Sequence, residues 1–169
     1  MLIRADRSVA ASLRSRSLIL IVSLLAVLPQ GMLQAYSEYS LPGLASRELS
    51  PQAYSSFVLS VSVIGIALNP VLLFLLMYVI GRGLDLKGDY PAIASSLFVG
   101  GLVGGFAGRA LVYFASPASV DGLSAMGSIT LESVGSAVSG VFVGFTAAAL
   151  AFVRRRSGPR EGAQAGGQA

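Results

Sequence analysis

The sequence contains no cysteine, no histidine and no tryptophan, and Lys87 is its one lysine. Without cysteine there are no disulfides, thiolate nucleophiles or zinc–thiolate sites. Without histidine the commonest general base and the commonest metal ligand are missing, and Ser-His-Asp and Cys-His arrangements are excluded. Charge is also scarce. Asp, Glu, Lys and Arg make up 12% of the 169 residues, about half the share of a soluble domain. Apolar residues are abundant, at 54%, and mean hydropathy is +0.74. This composition excludes a disordered chain, a collagen and an ordinary water-soluble domain.

The few charges are distributed unevenly. Four apolar stretches, 17–36, 57–81, 92–115 and 129–153, hold only two ionised side chains, Arg109 and Glu132. Each stretch reaches the roughly 20 residues that cross about 30 Å of hydrocarbon at 1.5 Å per residue. A buried helix of a soluble protein keeps a polar face over part of its length, and 57–81 has none. Lipid offers no hydrogen-bond partner to the backbone, so spans are helices or a closed barrel. Val71–Ile80 (VLLFLLMYVI) is continuously apolar, without the alternation of a barrel strand. The expected fold is therefore all-α: an integral membrane bundle of four transmembrane helices.

The basic residues set the expected sidedness. Arg4, Arg7, Arg14 and Arg16 precede the first stretch, Arg82 and Lys87 lie between the second and third, and Arg154, Arg155, Arg156 and Arg160 follow the fourth. Arg47 alone lies on the opposite side. Positive charge stays cytoplasmic, so both termini are expected there, in a multi-pass protein of the cell membrane. Three segments follow: a basic cytoplasmic 1–16, a transmembrane domain 17–153, and a cytoplasmic tail 154–169 whose Gly/Ala/Gln-rich end buries nothing and is expected to be disordered. Residues 1–16 form either an interfacial helix or a continuation of the first span. Arg154, Arg155 and Arg156 are placed to meet anionic lipid headgroups. They lack the aromatic neighbours that stack bases, so nucleic acid is not an expected partner.

Two readings of the first stretch stand. A basic leader, an apolar run, Pro29 and then Ala35 resemble the layout of a secretory signal peptide. Alternatively the segment is retained as a first helix, kinked or ended near Pro29. The long leader and Leu33, where cleavage sites carry a small residue, favour retention.

Small residues recur every four positions in the last two stretches. Ser96, Gly100, Gly104 and Gly108 form one ridge with Gly101 and Gly105 beside it; Ser136, Gly140, Gly144 and Ala148 form another, flanked by Gly135 and Ser139. Such ridges let backbones approach closely. The expectation is that the third and fourth helices pack as an antiparallel pair, with a second copy of the chain as the other possible partner, and that Leu at Gly104 or Gly140 destabilises the assembly. Arg109 lies on the face of Gly101 and Gly105, and Glu132 on the face of Ser136, Gly140 and Gly144. Intramembrane charges usually find partners, so an Arg109–Glu132 ion pair is expected, against the alternative that each reaches the membrane interface alone.

Asn69-Pro70 interrupts the second stretch. Pro70 frees a carbonyl near Ile66, which Asn69 is suited to satisfy; the dipeptide is either a kink or part of a transport site. Asp85 and Asp89 have a spacing that can hold Mg²⁺ on a phosphorylated substrate, but Arg82 and Lys87 interleave with them, which favours a solvated loop. No cofactor or metal site is expected. The segment around Leu44–Leu49 in the loop 37–56 reads as a short interfacial helix. The leading functional expectation is an accessory or assembly subunit working through glycine-mediated helix packing. The alternatives are a small oligomeric transporter or channel, and a membrane enzyme using Asp85 and Asp89.

Overall fold

A computed structural model describes the backbone of residues 2–40, 50–84, 86–116 and 122–156, and within these the side chains of 15–40, 50–84, 89–116 and 122–155. Four long helices make up nearly all of it: α1 Leu2–Ala35, α2 Pro51–Gly81, α3 Leu86–Ala115 and α4 Gly122–Arg156. One π-helical turn, Tyr36–Ser40, continues α1. There is no strand among the described residues, and all four helices are long and apolar enough to cross a membrane.

The helices outrun the apolar stretches that announced them. Ser50 caps α2, its side chain accepting the Ala53 N–H at 3.3 Å, and Pro51 supplies a first-turn φ without a lost bond. The helix therefore starts well before Phe57. At the other terminus α1 begins at Leu2, so the basic leader continues the first helix. Nor does α1 end at Pro29. It packs on α3 both before and after that residue, through Leu24, Leu28 and Gly31. That packing offsets the roughly 3 kcal/mol that an interior proline costs a helix. Pro70 and Pro91 also lie inside continuous helices. Residues 44–49, Asp85 and the tail 157–169 lie outside the described residues.

The topology is two antiparallel hairpins lying side by side. Gly65 of α2 meets Leu33 and Gln34 of α1, and Gly101 and Gly105 of α3 meet Ala137 and Ser133 of α4. The hairpins join through parallel pairs. Leu20, Leu24 and Leu28 of α1 run beside Gly100, Gly104 and Gly108 of α3, while Leu73 and Gly81 of α2 run beside Gly140 and Ala148 of α4. The α1–α3 interface is the most extensive of the four. Consecutive helices α2 and α3 stand on a diagonal.

The third and fourth helices are thus antiparallel neighbours, but the principal glycine ridge is not what joins them. A Cβ on Gly100 or Gly104 would lie 2.5 or 2.6 Å from a carbonyl oxygen of α1, and one on Gly108 would strike the Leu28 carbonyl. The secondary row, Gly101 and Gly105, faces α4. On α4 itself, Gly140 leaves ordinary space for Leu73 of α2, and Gly144 receives the end of Leu97 of α3. A ridge of small residues marks a close approach without naming the partner. Here α3 has two such faces and is held on both.

The interior changes character along its length. Ile19, Leu73, Met77, Ile93, Leu97, Ala147 and Ala148 fill the half nearer the α2–α3 connection. Ser23 crosses within it, donating to the Leu97 carbonyl at 2.8 Å. The other half holds Gln30, Arg109, Ser133 and Ser136, all buried. The outside is apolar, with Leu59, Ile66, Val79, Leu111, Leu131 and Phe142 all pointing outward. All six tyrosines sit near helix ends, at Tyr36, Tyr39, Tyr54, Tyr78, Tyr90 and Tyr113.

Candidate functional site

The polar half of the bundle is organised around Arg109. Its side chain leaves α3 on the Gly105 face, where the absent Cβ gives the guanidinium room to lie against the helix. Arg109 is 2% exposed. Nε donates to Glu132 Oε2 at 2.9 Å and Nη1 to the Gly105 carbonyl at 3.3 Å. Nη2 donates to Gln34 Oε1 and, at 3.2 Å, to Ser136 Oγ. The expected Arg109–Glu132 pair is present, and the arginine turns inward instead of reaching for the interface. Each guanidinium nitrogen has an acceptor, and the acceptors come from α1, α3 and α4. Glu132 is held in turn by Ser128 Oγ at 3.2 Å, and about 35% of its side chain stays exposed.

These groups line a cavity of about 480 Å³ at the end of the bundle where α1 finishes and α2 begins. Gln30, Gln34, Ser37 and Glu38 come from α1 and its π-helical continuation, Ser62 and Ile66 from α2, and Gly135, Ser136 and Ser139 from α4. Its volume falls in the range of small-molecule sites. Its ionisable groups are one arginine and two carboxylates, Glu38 and Glu132. Because the guanidinium nitrogens are already engaged, the charged capacity that remains is that of the carboxylates, beside the neutral amides of Gln30 and Gln34 and the serine hydroxyls. Gln30 Oε1 is buried without a partner among the described residues. A small cation or a donor-rich solute would complement this lining. Beyond it lies the apolar half of the core.

The other residues singled out in the sequence lie elsewhere. Asn69 is 3% exposed, and its Oδ1 is unpartnered among the described residues. No hydrogen bond from Asn69 to the carbonyl freed by Pro70 is formed among the described residues, so the expected local satisfaction of that carbonyl is not seen. Neither Asn69 nor Pro70 lines the cavity. Gly100, Gly104, Gly108, Gly140 and Gly144 are packing positions along the bundle. Asp89 lies at the opposite end, 3.9 Å from Arg16 across an exposed pair, the kind that contributes little.

Gln30, Gln34 and Glu38 are site residues that hydropathy alone does not mark: the two amides interrupt an apolar run without charge, and Glu38 falls beyond its end. Their spacing of four carried the signal: on a continuing helix it puts all three on one face. The chain matches no protein-family model, no curated protein and no solved structure.

Proposed function

We propose that this chain is a multi-pass protein of the cell membrane, with both termini cytoplasmic and its first helix retained. It works as an accessory or assembly subunit through helix packing. The observation that carries this reading is the internal use of its polar groups. Arg109 spends its donors on three helices of the same chain. The half of the bundle away from Arg109 is filled by an apolar cluster that includes Ile19, Leu73, Met77 and Leu97. What the molecule offers outward is apolar helix surface, most of it on α2, the least enclosed of the four. Tyrosines at both ends match the belts that anchor spans at membrane interfaces.

The experiment is copurification from native membranes in mild detergent, with a photo-crosslinker at Val63 or Leu75 on the outer face of α2. Recovery of one membrane-protein partner, crosslinked from α2 and not from Leu111, supports the reading. Recovery of the chain without any partner, crosslinked only to lipid, opposes it.

The cavity favours a second reading, a small oligomeric transporter. On that reading Glu132→Gln, at the cavity wall, abolishes solute flux in proteoliposomes while the variant still folds and melts cooperatively.

A further inference from the structure

At the end of the bundle opposite the cavity, three arginines converge with no carboxylate partner among the described residues. Helices α2 and α4 close tightly there: a Cβ on Gly81 would lie 2.7 Å from the Ala148 Cα. The contact brings Arg82, just beyond α2, beside Arg154 and Arg155 at the end of α4. With Ala151 they line a cavity of about 370 Å³. Neutral groups hold them in place. Arg154 Nη1 donates to the Tyr78 hydroxyl at 3.0 Å, Arg155 Nη1 donates to the Arg82 carbonyl at 2.9 Å, and the Arg82 guanidinium stands 5.4 Å from the Tyr78 ring centroid. None of the three is in an ion pair among the described residues.

Like charges gathered this closely repel one another unless an anion joins them. Guanidinium groups present donors in a fork that fits phosphate oxygens. The small side chain of Ala151 leaves the space between them open. We propose that this cavity binds a phosphate group, supplied by the headgroup of an anionic phospholipid. The source rests on the membrane reading above, whereas the phosphate chemistry does not.

The test is native mass spectrometry of the full chain released from detergent, with phosphatidylglycerol or phosphatidylcholine added. The expected result is preferential retention of phosphatidylglycerol, falling about tenfold or more in Arg82→Ala/Arg154→Ala. Arg4→Ala/Arg7→Ala removes the same charge elsewhere and should leave retention within about twofold. Tyr78→Phe removes only the hydroxyl that holds Arg154 and should give a smaller loss in a variant of parental stability. Equal loss in the two double variants, or no lipid preference, overturns the site. Millimolar inorganic phosphate displacing the lipid would assign the cavity to a soluble phosphate, overturning the lipid source; undiminished retention supports the headgroup. A chain that stays monodisperse without detergent would overturn the membrane reading instead, and phosphate binding would then test the arginines independently.

Discussion

Arg109 and its acceptors join three helices, so the cost of disturbing it is shared among them. Arg109→Ala should lower stability in detergent by about 1–3 kcal/mol. That is less than the 3–5 typical of a fully buried pair, because Glu132 remains partly exposed and can be solvated. Arg109→Glu and Glu132→Arg should each destabilise, and the double exchange should recover part of the loss. A thermal melt in which the exchange is no better than the worse single variant would deny the pairing. The pair was legible because only two ionised side chains occur in the apolar stretches, each four residues from a glycine or serine ridge. Gln34 was not, because a neutral amide in an apolar run carries no charge to mark it. Glycines separate by what surrounds them. Gly104→Leu forces a side chain into the α1 backbone and should cost about 2 kcal/mol or more. Gly127, with nothing within 4 Å of where a Cβ would stand, should accept Leu within about 0.5 kcal/mol.

Among the elements, α1 carries more of the structure than its ambiguous sequence announces. It covers the principal glycine face of α3 and supplies Gln34 to Arg109. The purified protein should therefore have an intact mass that includes residues 1–35. Deleting those residues should abolish a cooperative thermal transition in detergent, and coexpressing residues 1–40 as a separate segment should restore it. An N-terminus found at Tyr36 in a stable protein would contradict this role. The four helices and their order were legible because hydrocarbon tolerates no uncompensated charge, which leaves long unbroken tracts. Their ends were not, since polar residues such as Ser50 and Gln52 continue or cap a helix without altering hydropathy. The α1–α3 partnership was also hidden: the α1 side of the contact is mainly leucine backbone, and Gly31 is its one glycine at that interface.

For the molecule as a whole, the parallel pairing puts Arg16, Arg82, Arg154 and Arg155 at one end and the Arg109 cavity at the other. The proposed orientation, with the arginine-rich end cytoplasmic, predicts that a reporter fused after Ala169 reads as cytoplasmic and one inserted near Arg47 as external. The reverse pattern would invert the molecule and turn the cavity inward. The side-by-side hairpins also bear on biosynthesis. Ser23 and its acceptor Leu97 are 74 residues apart. At roughly 5–20 residues per second, the ribosome needs about 4–15 s to make the second after the first. During that interval the nascent first hairpin exists with its docking surface for the third helix bare. Whatever shields Leu20, Leu24 and Leu28 then must yield to three glycines when they arrive.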